Sequence, residues 1–147
     1  MLVSHLSGLD LASIIEKTFP GSVSQRDDSD VWITPDKIPE ILQYLRDDEE
    51  LQFDFLNSIS AVDFIEFFEI VYHLTSISMQ TTAVVKTKVY GREDLSVPSV
   101  YHVWRGADFQ EREIWDLMGI RFPGHPNMKR ILLWEGFEGH PLRKDFL

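Results

Sequence analysis

The sequence predicts an α+β fold, a mainly antiparallel sheet with helices packed on one face, followed by a long irregular C-terminal segment. Three observations carry this reading. Between residues 53 and 90, three runs alternate apolar and polar residues across short connections, the period of half-buried strands. Helical-period stripes precede these runs and a charged helix follows them, so helices and strands are segregated rather than alternating. After Leu117 the chain gathers four of its eight glycines and three of its seven prolines, yet keeps Phe122, Ile131, Leu132, Leu133, Trp134 and Phe137.

Asp10 can cap a first helix whose inward stripe is Leu11, Ile14, Ile15 and Phe19, and Pro20–Gly21 stops it. A short strand from Val23 to Arg26 turns through Asp27–Asp30 into a second from Val31 to Thr34. Asp36 opens another helix. Pro39 falls in its first turn, where a missing N–H costs nothing. Ile38, Ile41, Leu42 and Leu45 follow the i, i+3, i+4, i+7 pattern of one apolar face.

The meander comes next. Phe53 to Asp63 is one strand region, with Phe55, Ile59 and Val62 apolar. From Phe67 to Ile77, Phe68, Ile70, Tyr72 and Leu74 share a face, while Glu69, His73 and Thr75 take the other. Thr81 to Tyr90 sets Ala83, Val85, Thr87 and Val89 against Lys86 and Lys88. The third helix is marked by Asp108 and Glu111, spaced as a capping box, and by Gly119 as its stop. Arg112 and Asp116 lie four apart, as do Glu111 and Trp115. By spacing alone this is a charged helix with surface pairs worth about 0.2–0.5 kcal/mol each. The core is expected to stand on residues 1–118, with 119–147 an extended arm that is no domain of its own.

With 147 residues, 44% hydrophobic and 26% charged, the chain fits one globular domain. It has no cysteine, which excludes disulfides and any cysteine-ligated zinc or iron–sulfur group. No apolar run approaches the roughly 20 residues of a membrane span. Met1 to Asp10 lacks a basic start and an apolar core, so a secretory signal is not expected there. The formal net charge is −10. Residues 1–100 carry 7 basic against 17 acidic side chains, and residues 101–147 carry 7 of each. An acidic body argues against general nucleic-acid binding, whereas the balanced C-terminal third suits a specific protein contact.

Catalytic patterns are missing. The five histidines are far apart, with no pair at helical metal-ligand spacing. His125 and His140 each sit in a Gly-His-Pro turn context. There is no phosphate-binding glycine loop, no nucleophile elbow and no thiol. Glu111 and Glu113 point to different helix faces and make a poor acid–base pair. Lys129–Arg130 and Arg143–Lys144 are either solvated loop cations or anchors to carboxylates, where the arginine fork adds direction. An irregular segment this apolar reads as a lid, a strap across its own domain, or a docking arm.

The residues Glu111-Arg112-Glu113, Trp115 to Ile120, Phe122 and Gly124-His125-Pro126 resemble the signature of the C subunit of the proton-pumping NADH–quinone oxidoreductases, respiratory complex I. Arg130-Ile131-Leu132, Gly136 to Pro141 and Leu142-Arg143-Lys144-Asp145-Phe146 resemble its second signature. Ile59 to Asp63 and Val71 to Leu74 also fit, while Met118 stands where that family more often has an aromatic. The resemblance implies a non-catalytic structural subunit of the peripheral arm, on the cytoplasmic face of a bacterial inner membrane. It implies no cofactor in this chain, with FMN, iron–sulfur clusters and quinone held by other subunits. Partners would be chiefly the large D subunit, whose cleft forms much of the quinone site, and also the B and I subunits. The residues carried over for partner docking are Glu111, Arg112, Glu113, Asp116, His125, Arg130, His140, Arg143, Lys144, Asp145 and Phe146. The alternative is the related small subunit of a membrane-bound nickel–iron hydrogenase.

Overall fold

A six-stranded mixed sheet is backed by three helices. The computed structural model describes residues 3–134 and 136–146. Met1 and Leu2, where the signal-peptide reading begins, lie outside the described residues, as do Glu135 and the terminal Leu147. The elements run β1 (Ser4–His5), α1 (Gly8–Thr18), β2 (Val23–Arg26), β3 (Asp30–Ile33), a single 3₁₀ turn (Pro35–Lys37), α2 (Ile38–Asp47), β4 (Phe55–Asp63), β5 (Phe67–Ser76), β6 (Thr81–Tyr90) and α3 (Ala107–Met118).

The meander forms as its alternation predicts: β4, β5 and β6 pair antiparallel, with Tyr72 opposite Ile59 on one side and Val85 on the other. The β2–β3 hairpin then joins through β3, which lies parallel to β6, and β1 adds a second short parallel pairing to β6. These parallel contacts make the sheet mixed, and no local period announces them. Phe68, Ile70, Tyr72 and Leu74 are buried on the face that receives Leu11 and Ile15 of α1, Ile41 and Leu45 of α2, and Ile114 and Met118 of α3. All three helices therefore feed one core.

All three helix starts differ from the sequence reading: Asp36 falls in the 3₁₀ turn, and α2 itself starts at Ile38. Asp10 does not cap α1; Ser7 does, its hydroxyl accepting the Asp10 N–H at 3.1 Å. The pair Asp108 and Glu111 forms no capping box, because α3 begins at Ala107, with Gly106 at the cap position and no side-chain cap. Glu111 instead points into the protein. The helix ends as expected at Gly119, whose φ of 78° is left-handed. A different glycine serves close approach: a Cβ on Gly8 would lie 2.1 Å from the Asp30 carbonyl oxygen, so only glycine lets α1 start against the β2–β3 turn.

The core also passes residue 118. Ile120 and Phe122 are buried in the main cluster, and Arg121 exchanges backbone hydrogen bonds with the 95–97 segment. The part of the arm that leaves the core begins near Pro123.

Candidate functional site

The helix α3 and the arm meet through buried charge. Asp116 is fully buried, and its Oδ2 accepts three successive backbone N–H groups, from Ile131 (3.1 Å), Leu132 (2.7 Å) and Leu133 (2.9 Å). Such a concave row of amides is a ready anion cradle. Its Oδ1 takes Nη1 of Arg130 at 2.7 Å. Burial alone would raise this carboxyl, but the hydrogen bonds from Leu133, Arg130, Leu132 and Ile131 prevail and hold it below its ordinary pKa. Arg130 then spans to the carbonyls of Phe137 (2.8 Å) and Gly139 (2.9 Å). One ion pair thus gathers residues 130–133, Phe137 and Gly139, a stretch whose described residues have no ladder of their own to satisfy their backbone.

Neighbouring residues repeat the device. Arg112 is buried and donates to the carbonyls of Lys129 and Arg130, each at 3.1 Å. His140 Nδ1–H donates to the Asp116 carbonyl at 3.0 Å, and its ring tilts against Trp115 with centroids 5.0 Å apart. His125 accepts the Asn127 N–H at Nδ1, so its proton sits on Nε2 and goes to the Asp108 carbonyl at 3.2 Å. The Asp108 Oδ1 lies 2.9 Å from the same nitrogen, but off the N–H direction and without a hydrogen bond.

Glu111 braces the approach to α3. Its carboxyl, fully buried, accepts the Ser99 hydroxyl at 2.6 Å and the Val100 N–H at 2.8 Å. Burial pushes its pKa up to about 7 against those two bonds, with the Asp108 charge adding to the rise. The Tyr72 phenol, also buried, has no hydrogen-bond partner among the described residues. Its pKa is raised well above the ordinary value by burial and then by the Glu111 charge.

The far end of the arm is fastened to the sheet. Asp63, at the end of β4, forms a bidentate pair with Arg92 at 2.7 and 2.8 Å and accepts the Lys144 N–H at 2.7 Å. The Arg92 guanidinium, ahead of the smaller contribution from the Lys144 N–H, holds the Asp63 carboxyl well below the usual carboxylate range despite its burial. Arg143 donates to the Arg92 carbonyl and to Asp145 and lies over the Phe68 ring. Asp145 also takes Arg92.

The structure therefore brings Arg112, Asp116, Arg130 and His140 into one clamp, and Arg143, Lys144 and Asp145 into a second. Glu111 and His125 brace the approach. Glu113 is exposed, with no ion-pair partner among the described residues, and Phe146 lies on the arm's surface, stacked near Phe137. The reading of α3 as a helix of surface pairs is corrected: Arg112 and Asp116 bond to the arm that returns over them, and Glu111 to Ser99 and Val100 in the segment before the helix. Sequence reasoning singled out neither Arg92 nor Ser99. Nothing local marks them, since their partners lie 29 and 12 residues away. Among the described residues no group of three or more His, Cys, Asp or Glu could hold a metal, and no helix is long and apolar enough to cross a membrane.

The arm also keeps large apolar side chains outward. Leu132 is 61%, Trp134 68% and Leu142 60% exposed. A segment clamped this firmly and still this apolar outside offers a fixed surface.

Comparison with known proteins agrees with the two signatures. Residues 31–147 match the family model described as respiratory-chain NADH dehydrogenase, 30 Kd subunit. The chain is 41% identical over 147 residues to the C subunit of the NADH-quinone oxidoreductase of Roseiflexus sp. (strain RS-1), covering 93% of this chain and 84% of that protein. It is 44% identical over 128 residues to the corresponding C subunit of Roseiflexus castenholzii, covering 85% and 73%. Among solved structures it is similar to a chain of the membrane-bound sulfane sulfur reductase, an archaeal respiratory membrane complex. That likeness has a TM-score of 0.76 at 26% identity and covers 95% of this chain and 85% of the other.

Proposed function

This chain belongs to the family of the respiratory-chain NADH dehydrogenase 30 Kd subunit, and from that premise we propose that it is a non-catalytic structural subunit of the peripheral arm of an ion-translocating NADH–quinone oxidoreductase. In this reading it packs chiefly against the large D subunit near the quinone site, with the B and I subunits close by, on the cytoplasmic face of the membrane. Electrons pass from NADH through FMN and iron–sulfur clusters that the other subunits hold, and this chain binds none of them.

The observation that carries the reading is the clamped arm. Asp116 and Arg130 hold residues 130–133, Phe137 and Gly139 together, while Leu132, Trp134 and Leu142 remain outward. Pre-organised apolar anchors lower the ordering cost of association and tend to dominate interface energy. The carried-over residues then divide their work. Arg112, Asp116, Arg130 and His140 give the arm its shape, Glu111 braces the segment before α3, and the arm's apolar side chains meet the partner.

The test substitutes Trp134→Ala and purifies the complex through a tag on another subunit. Recovery of this chain and quinone reductase activity should fall together, while the isolated chain melts at the unchanged temperature. Unchanged recovery would sink the docking role. A second reading, a subunit of a related membrane redox complex with another electron donor, is favoured by the likeness to the sulfane sulfur reductase chain. Failure of the purified complex to oxidise NADH would select it.

A further inference from the structure

The hairpin between β4 and β5 holds Ile65 at φ 75°. That is the left-handed region, which a β-branched residue seldom enters and glycine enters freely. The conformation is fixed from both sides: Asp63 Oδ1 accepts the Ile65 N–H at 2.8 Å, and Arg92 Nη1 donates to the Ile65 carbonyl at 3.0 Å. The side chain returns nothing to its own fold, since it is 61% exposed and outside the core cluster. Phe64 beside it is also exposed, its ring tilted against Phe67 at 5.1 Å, and Phe67 in turn leans on Tyr90 at 5.5 Å. A strained backbone that displays an apolar side chain to solvent is accounted for by what that side chain meets outside the chain.

We propose that Phe64 and Ile65 form a docking knob that inserts into an apolar pocket of a neighbouring subunit, with a carboxylate at the pocket's rim facing Lys144. The inference rests on the reading of this chain as a subunit of a respiratory complex. Lys144 enters because its N–H is bonded to Asp63, which places its backbone at the hairpin base, and its side chain is exposed with no ion-pair partner among the described residues. The same Asp63 holds the hairpin tip through the Ile65 N–H and the arm through the Lys144 N–H, so knob and arm are tied to one carboxylate. An anionic lipid surface is the poorer occupant for a chain of net charge −10.

The experiment introduces Ile65→Gly and Ile65→Met and recovers the complex through a tag on another subunit. Glycine relieves the left-handed strain, so the isolated Ile65→Gly chain should melt at the same temperature or a few degrees higher. Its recovery in the complex should nevertheless fall about tenfold or more, the loss of an interface anchor. Ile65→Met keeps an apolar side chain and should stay within about threefold of the unsubstituted chain. Recovery of Ile65→Gly at the unsubstituted level overturns the proposal, as does a melting temperature lowered by several degrees, which would assign the side chain to the fold. Equal loss in both variants also overturns it, since apolarity would not be what is read. The purified chain should not bind vesicles of phosphatidylcholine with phosphatidylglycerol, and binding that Ile65→Gly abolishes would place the tip in lipid instead. If the unsubstituted chain is absent from the purified complex, the subunit reading fails and takes this inference with it. If Trp134→Ala lowers recovery and Ile65→Gly does not, the knob alone is wrong.

Discussion

Asp116 and Arg130 meet at 2.7 Å beneath the arm, the carboxylate fully buried on α3 and the guanidinium held by two further carbonyls of the segment it organises. The pair substitutes for regular secondary structure. Residues 131–133 direct three N–H groups at one oxygen instead of at a helix or strand neighbour, and Arg130 collects carbonyls seven and nine residues further on. A glycine- and proline-rich segment can therefore be ordered without being a helix or a sheet.

Removing that charge should release the arm and spare the sheet. Breaking a buried pair by deleting one partner costs about 3–5 kcal/mol where the other stays buried. Arg130 keeps some access to water, so the loss for Asp116→Ala is expected toward the lower end. Limited proteolysis should show new cleavage between residues 127 and 146, with the 4–122 core intact. Unchanged proteolysis would show that the arm is held by its apolar contacts instead.

Glu111 should give the stability a dependence on pH opposite to that of Asp63 and Asp116, the aspartates that hold the arm. Its folded pKa, raised to about 7 by burial, lies above the unfolded value of 4.5. The stability it contributes is fully present below pH 4.5 and is lost as pH rises through 7. Asp63 and Asp116 are lowered when folded, so their contribution is present above the unfolded value of 3.8 and lost as pH falls below it. Denaturant unfolding should therefore find a maximum near pH 5, declining toward pH 7.5. Glu111→Gln should abolish the decline, and a decline that persists would assign it to another group.

Tyr72→Phe should stabilise the protein or leave it unchanged. The phenol is buried without a partner and next to a carboxylate that can carry charge. An unsatisfied buried polar group costs about 1–3 kcal/mol, and phenylalanine removes it without opening a cavity. A destabilisation beyond about 1 kcal/mol, the order of a net hydrogen bond, would reveal a partner for the hydroxyl.

Gly119→Ala tests the junction of helix and arm. The left-handed φ of 78° alone costs an L residue roughly 1–2 kcal/mol. The added Cβ would also sit 2.7 Å from His140 Cδ2, displacing the ring from Trp115. The expected outcome is a lower melting temperature together with a changed Trp115 fluorescence, and a melting shift without any change in emission would leave His140 unmoved.

What the sequence determined by itself is the local grammar. Alternation at Phe68, Ile70, Tyr72 and Leu74 names the buried face of β5, because a strand has only two faces. Ile38, Ile41, Leu42 and Leu45 name the inward stripe of α2 in the same way. Gly119 stops α3 because its position demands a left-handed residue. The two signatures identify the family without any coordinates. Helix caps were less legible, since Ser7 and Asp10 both offer an acceptor near one helix start and only geometry chooses.

The tertiary structure alone decided where the charges go. On an isolated helix, Arg112 and Asp116 are surface neighbours. Here the chain returns from residue 129 to 133, buries both, and hands their hydrogen bonds to its own backbone. The parallel pairing of β3 with β6 and the fastening of Lys144 to Asp63 have the same origin. Each joins groups more than fifty residues apart, and a local period carries no information about which distant backbone will arrive.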